Sequence, residues 1–400
     1  MNVAFQRGKR ERTDVSRLAY GGDGVGRIRD LVTFIPFTAP GDEVEVRVTE
    51  VRKRYLRGRA LKILTPSPDR VEPRCRHYAR CGGCQYQHIA YERQLSAKRE
   101  QVIECFRRIG GFDSIPASIP VDETVPSPKS YGYRCKAEFH LGRDGENSAG
   151  FMDTSGYRLV DIERCEIVDE SINESYRIFR RELWSGGGNG TEIFWSGVPA
   201  GTHGNKPARV ERTVKGKTLA APWRGFFQAN SLLTERLVES VLEMSGEEGN
   251  GNVLDCYCGS GLFTVFLAEK AKKIYGIETD PEAADCAGAN LEKSGVSRHA
   301  ILEGMVEDRA GELVAKGFKP DVIILDPPRT GCGRTALAAV AGFASKKIVY
   351  VSCDPATQAR DIRLLAASGY YPEFLRPFDM FPQTKHIETV ALLNKKTERA

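Results

Sequence analysis

Val253-Leu254-Asp255-Cys256-Tyr257-Cys258-Gly259-Ser260-Gly261-Leu262-Phe263-Thr264 reads as an apolar strand, a tight Gly-x-Gly turn and the start of a helix. Glycines in such a turn let backbone N–H groups approach a ligand at the carboxyl end of the first strand of an open α/β sheet. The next apolar run ends in Ile277-Glu278, about 20 residues on, where a carboxylate can bind ribose hydroxyls. The loop lacks the third glycine of the dinucleotide fingerprint, and Asp255 precedes the turn. That combination suits adenosylmethionine better than NAD.

From residue 222 onward apolar strands alternate with helical stretches, the pattern of a doubly wound sheet. Strands are expected at 252–256, 273–278, 321–325, 347–351, 372–379 and 387–393. The third ends in Asp326-Pro327-Pro328-Arg329, where two prolines stiffen the loop that carries the carboxylate. The fourth runs into Val351-Ser352-Cys353-Asp354-Pro355, which sets a thiol just beyond a strand. The last begins at His386-Ile387-Glu388-Thr389-Val390 and brings a second carboxylate. A thiol and a carboxylate at strand ends of one sheet form a nucleophile-and-base constellation. In amine-methylating enzymes a related Asp-Pro-Pro loop is followed by an aromatic; here Arg329 stands in its place.

The net charge of +5 hides an asymmetry: residues 1–110 hold 23 Lys and Arg against 13 Asp and Glu. Such an end fits a polyanionic partner. Residues 13–64 read as a small β unit, with strands around 32–37 and 44–48 and glycine punctuation. Tyr55 sits in the basic cluster Arg52-Lys53-Arg54-Tyr55-Leu56-Arg57-Gly58-Arg59, a composition suited to single-stranded nucleic acid. Pro66-Ser67-Pro68 marks a linker, and residues 91–109 a helix closed by Gly110-Gly111. The region 130–220 shows short strands, a Gly186-Gly187-Gly188 turn and no catalytic signature.

Between linker and helix, Cys75-x5-Cys81-x2-Cys84 offers three thiols over ten residues, with Gly82-Gly83 permitting a tight bend. Four thiolates complete either a zinc site or a cubane cluster, and spacing alone does not separate them. The amino terminus turns polar before a signal-peptide core could form, and no stretch approaches about 18 uninterrupted apolar residues. A soluble, cytoplasmic chain with no membrane contact and no obligate protein partner is expected. Its eleven cysteines are then ligands, nucleophiles or core residues rather than disulfides.

Asp-Pro-Pro-Arg, Ser-Cys-Asp-Pro and His-x-Glu-Thr, in this order, resemble the uracil-C5 RNA methyltransferase family. The resemblance extends to the front of the chain, where residues 13–64 look like a TRAM domain. It implies a TRAM/OB-like barrel over 1–65, a central α+β iron–sulfur domain over 66–221 and a Rossmann-like class I methyltransferase domain over 222–400. Cys75, Cys81, Cys84 and Cys165 are then the ligands of a [4Fe-4S] cluster, although Cys135 stands where the family often has asparagine. Cys353 is implied as nucleophile, Glu388 as base and Asp326 as a hydrogen-bonding partner of the uracil edge. Gln228, Asp255, Tyr257, Gly259, Gly261, Glu278 and Asp326 are implied around S-adenosylmethionine. The implied substrate is structured RNA, with 23S rRNA favoured over tRNA uridine-54. A catalytically silent RNA-binding or iron-dependent sensor would have lost Cys353, Glu388 or the glycine loop, and all three are present. DNA cytosine-C5 methylation, which shares the thiolate chemistry, calls for a Pro-Cys nucleophile farther upstream.

Overall fold

The computed structural model describes residues 5–142, 148–183, 190–198 and 206–396; the Gly186–Gly188 turn lies outside them. The chain divides into two compact units. One comprises Met1–Gln101, Lys129–Gly201 and Phe381–His386, and the other Val102–Pro128, Thr202–Met380 and Ile387–Ala400.

The first unit opens with β1 (Arg10–Leu18), β2 (Gly24–Ile28), β3 (Leu31–Ile35), β4 (Glu43–Val51) and β5 (Tyr55–Thr65). They close into a barrel in the order β1-β2-β3-β5-β4. All neighbours are antiparallel except β3 and β5. The in–out alternation read around 44–48 is realised: Val44, Val46 and Val48 of β4 are buried. Val15, Ile35, Val44 and Val46 form one core cluster. Closure leaves no free strand edge. Buried Asp42 ties the following segment back to the barrel, accepting from Ser67 N at 2.9 Å and from both Nε and Nη2 of Arg70 at 2.9 Å. The Pro66-Ser67-Pro68 stretch is therefore anchored and does not act as a loose tether.

Helix α1 covers Tyr91–Cys105 and passes into a π-turn over Phe106–Gly110, ended by Gly111 in the left-handed region. This confirms the helix read at 91–109, with a changed winding in its last turn. Its buried Gln94 and Lys98 belong to the first unit and hold the turn Phe381–His386. Gln94 exchanges two hydrogen bonds with Gln383, and Lys98 Nζ donates to Phe381 O at 3.1 Å and His386 O at 2.9 Å. A four-stranded sheet follows in the order β8-β7-β6-β9, built from β6 (Lys136–Leu141), β7 (Ala149–Met152), β8 (Leu159–Asp161) and β9 (Thr191–Trp195). Helix α2 (Glu170–Leu183) joins its core, with Tyr176 stacked on Phe139 at 3.9 Å between ring centroids.

The second unit begins with the hairpin β10 (Arg209–Val214) and β11 (Lys217–Pro222), then α3 (Ser231–Ser245). Strands and helices then alternate: β12 (Asn252–Cys256), α4 (Leu262–Leu267), β13 (Lys273–Glu278), α5 (Pro281–Lys293), β14 (His299–Glu303), α6 (Val306–Ala315), β15 (Val322–Leu325), α7 (Arg334–Gly342), β16 (Lys347–Ser352), α8 (Pro355–Ala366), β17 (Tyr370–Phe378) and β18 (Glu388–Lys395). The sheet order is β14-β13-β12-β15-β16-β18-β17. The first five strands are parallel; β18 is antiparallel to both β16 and β17. Central strands β12, β15 and β16 are buried almost throughout, as layers covered on both faces require. Strand order reverses between β12 and β15, which opens a crevice at their carboxyl ends.

Strand β14 was not among the expected strands; its five residues, His-Ala-Ile-Leu-Glu, are only partly buried at the sheet edge, so the apolar signal is short. At the other edge, residues around Val121 and Val125 pair with Leu375 and Phe378 of β17. Arg376 fastens this border through Asp122 at 2.7 Å, Ser240 at 2.9 Å and Glu243 at 2.6 Å. No described helix is long and apolar enough to cross a membrane.

Candidate active site and cysteine-lined cavity

The turn after β12 is held in an uncommon backbone shape, with φ of +63° at Tyr257, +54° at Gly259 and +82° at Gly261. At Gly261 a Cβ would also stand 3.2 Å from that of Ala287, so glycine lets α5 pack against the loop. Asn290, also on α5, fixes the loop to the hairpin. It donates to Ser260 O and Ala220 O at 2.9 Å and accepts from Ala220 N at 2.8 Å. Glu278, at the end of β13, accepts from Gly259 N, Thr279 N and Asp280 N at 2.7–2.8 Å. Its carboxylate is thereby aimed along the loop, with acceptor capacity left on Oε2.

Asp255 is fully buried; Oδ2 accepts from Thr264 Oγ1 at 2.5 Å, whereas Oδ1 has no partner among the described residues. Burial, reinforced by Glu278, pushes this carboxyl up to about 7. Asp326 follows β15, its N–H directed at Cys256 O. Burial and the charges of Asp255 and Glu278 push it up to about 8. A carboxyl shifted that far is protonated for much of the neutral range and can donate a hydrogen bond. Gln228 is buried in the loop between β11 and α3, beside exposed Phe226.

Cys353 lies just past β16, and Glu388 opens β18. The antiparallel register pairs Ser352 with Thr389, so the next residues outward on the two strands are the thiol and the carboxyl. Asp354 caps α8 by accepting from Ala356 N at 3.0 Å and Thr357 N at 2.9 Å, with Pro355 in the first turn. The chain must therefore turn sharply at Cys353. Burial, then Glu388 and Asp326, pushes the Cys353 thiol up to about 12, while Arg329 opposes this through its charge and a hydrogen bond. Burial and then Asp326 hold the Glu388 carboxyl well above its usual range, again against Arg329. Of the residues singled out by sequence, Cys353, Glu388, Asp326, Asp255 and Glu278 are thus linked electrostatically. Tyr257 is coupled elsewhere: burial, then Cys332, holds its hydroxyl above the usual range.

One group of supporting residues had not been singled out. On α8, buried Asp361 accepts from Cys332 N and Tyr350 Oη, each at 2.7 Å, and from Arg360. Arg360 also donates to Thr330 O at 2.8 Å. These bonds hold the far end of the loop that carries Asp326 and Arg329. Gln358, one turn earlier, donates to Tyr350 O of β16 and Thr389 O of β18. The available signal was polar residues on the buried stripe of an amphipathic helix, where unsatisfied groups are costly.

In the first unit, Cys75, Cys81, Cys84 and Cys165 line one cavity of about 270 Å³. Gly82 is required there, because a Cβ would stand 2.7 Å from Asp153 O. Cys135, buried elsewhere in this unit, is not part of the cavity wall. Among the described residues no group of three or more His, Cys, Asp or Glu is placed to hold a metal ion. Four thiols on one cavity wall are nevertheless a donor set that suits zinc or an iron–sulfur centre. Burial pushes all four thiols up, Cys165 to about 11, and neighbouring sulfurs add to this at Cys81, Cys84 and Cys165.

Comparison with known proteins places this geometry. The sequence profile of the tRNA (uracil-5-)-methyltransferase family matches residues 213–396, and that of the TRAM domain residues 4–61. An uncharacterized RNA methyltransferase of Clostridium acetobutylicum is 33% identical over 436 aligned positions, which cover 94% of each chain. The chain belongs to this uracil-5 RNA methyltransferase family. Another RNA methyltransferase, from Staphylococcus aureus, is 34% identical over 95% of this chain and 96% of its own. The Pyrococcus abyssi tRNA (uracil-54, C5)-methyltransferase, solved with S-adenosyl-L-homocysteine, superposes with a TM-score of 0.70 at 24% identity, over 95% of this chain and all of that one. The family member described here is accordingly an S-adenosylmethionine-dependent RNA (uracil-C5-)-methyltransferase with an N-terminal TRAM barrel.

Replacing Asp361 with Ala in this methyltransferase leaves the buried Cys332 N–H without its acceptor and the Tyr350 hydroxyl with only the weak Cys332 Sγ contact at 3.6 Å. A loss of about 3 kcal/mol is expected, read as a lowered urea midpoint; an unchanged midpoint would show that the loop does not depend on this residue.

Proposed function

We propose that the protein methylates C5 of a uridine in structured RNA through a covalent adduct on Cys353. The observation that carries this reading is the gathering of Cys353, Glu388, Asp326 and Arg329 at the ends of β15, β16 and β18. Uracil C5 is a weak nucleophile until a thiolate adds to C6. The new S–C6 bond pushes the C5–C6 π pair toward the carbonyl, giving an enolate. Its C5 attacks the sulfonium methyl and releases S-adenosylhomocysteine. Glu388 then takes the C5 proton, the S–C6 bond breaks and the double bond returns.

The environment supports a part for each group. Arg329 lowers the cost of negative charge on both Cys353 and Glu388. Asp326, protonated below about pH 8, donates to the uracil carbonyl where enolate charge develops. Gln228, Asp255, Tyr257, Gly259, Gly261 and Glu278 are proposed to hold the cofactor, with Glu278 on the ribose hydroxyls. The target base must leave its stack to reach C6.

The substrate we favour is 23S rRNA, on the resemblance that pairs a TRAM barrel with the cysteine set. The matched family profile and the P. abyssi neighbour support tRNA as the alternative. Methylation assays on both RNAs, each lacking 5-methyluridine, decide between them. Cys75, Cys81, Cys84 and Cys165 are proposed to hold a [4Fe-4S] cluster. Bound there, the cluster would supply a covalent cross-link of the two cysteine segments. Anaerobically purified protein should contain about four iron per chain, and Cys165→Ser should lower this while Cys135→Ser does not. Zinc in place of iron would overturn the cluster.

Cys353→Ala should abolish methylation and trapping by 5-fluorouridine RNA, whereas Glu388→Gln should accumulate the RNA adduct on denaturing gels. Full turnover by either variant removes that residue from the mechanism. From about pH 6 the logarithm of kcat/KM should climb with unit slope as the Cys353 thiolate fraction grows. It should flatten above about pH 8, where Asp326 loses its proton. Asp326→Asn keeps a donor that does not titrate, so its profile should continue upward; a bend retained in that variant would exclude Asp326 as donor.

A further inference from the structure

Behind the catalytic loop lies a recess of about 700 Å³ that the proposed chemistry does not use. Its walls are the loop Thr330–Gly333, Arg334 at the start of α7, Arg360, Arg363 and Leu364 on α8, and Ile109. Three of these residues are arginines and none is acidic. Arg360 is committed to the wall, pairing with Asp361 and donating to Thr330 O. Arg334 and Arg363 are exposed and have no carboxylate within ion-pairing distance among the described residues. Two unpaired cations facing one concavity raise a local positive potential that intramolecular pairing does not relieve.

The backbone adds to this. Helix α7 is preceded by Gly333 at its N-cap, which provides no side-chain cap, and the N–H groups of its first turn have no intrahelical acceptor. A helix amino end of this kind favours negative charge. Arginine is the side chain suited to a phosphodiester, because its planar fork presents two parallel donors. The recess wall is also the continuation of Asp326-Pro327-Pro328-Arg329, so a ligand seated there touches the chain a few residues beyond the proposed uracil contacts.

We infer that this recess seats a backbone phosphate of the RNA near the flipped uridine, with Arg334 and Arg363 as its ligands and Arg360 coupling the contact to the catalytic loop. The inference rests on the RNA-methylating reading and deepens it. Phosphate contacts position a nucleic acid without reading its sequence. This seat would therefore fix the register of the strand while selection of the uridine lies elsewhere.

The test is RNA binding by wild type and Arg334→Gln/Arg363→Gln over a series of salt concentrations, with S-adenosylhomocysteine binding as the check on folding. The double variant should bind RNA several-fold more weakly, and the slope of log affinity against log salt should fall by about 1 for each phosphate that the protein ceases to neutralise. Arg334→Lys/Arg363→Lys should keep most of the slope. Lys270→Gln/Lys272→Gln removes two exposed charges at the amino end of β13, the opposite end of the sheet from the site, and should leave the slope as it is in wild type. An unchanged slope in the arginine variant, or an equal fall in the lysine control, overturns the phosphate seat. Wild type that neither binds nor methylates either RNA overturns the function reading itself.

Discussion

The antiparallel pairing of β18 with β16 is the constraint on which the active site depends. In a purely parallel sheet every strand would present its carboxyl end to the crevice, and Glu388, an amino-terminal residue of its strand, would face the opposite side. Reversing one strand brings its first residue beside the last residue of its neighbour. The ladder from Lys347–Asn394 to Ser352–Thr389 fixes that meeting in register, since a slip of one residue would turn every side chain of β18 to the other face. Gln358 bonds to both strands at this end and so resists such a slip where it would matter most.

Around that pairing the protein concentrates carboxyls for which it supplies little opposite charge. Asp255, Asp326 and Glu388 are removed from water with one guanidinium, that of Arg329, opposing the penalty at Glu388 and Cys353. Such a site is costly to the fold, and the cost is carried by the buried apolar strands beneath it. On the proposed assignment the same environment lets neighbouring carboxyls serve as donor and base, because their surroundings and not their chemistry set their protonation.

Most of the scaffold was legible because its signals are local. The glycine turn, the carboxylates at the end of β13 and after β15 and the thiol after β16 all follow largely apolar runs, and the unbroken ones fit a sheet covered on both faces. The barrel showed itself through the alternation in β4. Strand β14 was missed because an edge strand needs few apolar residues. The direction of β18 was not readable either, since a run of Val, Ala and Leu looks the same whichever way it is inserted. Asp361, Gln358 and Asn290 were hidden for a further reason. Each satisfies backbone groups distant in sequence, and a lone polar residue on a helix carries no sign of where its partner will be. The placement of Cys165 beside the three clustered cysteines likewise depends on the central sheet bringing β8 and its following loop to the cavity.

The shifted carboxyls near the glycine loop bear on how the enzyme parts with its spent cofactor. On the proposed assignment S-adenosylmethionine enters as a sulfonium, a cation that makes an ionised Asp255 easier to tolerate, while Asp326 keeps its proton to act as donor. Once the methyl group is gone, the sulfur is a neutral thioether and that compensation disappears. The pocket is then left with an acid it can keep charged only at a cost, so on this assignment product exchange is coupled to proton uptake at Asp255.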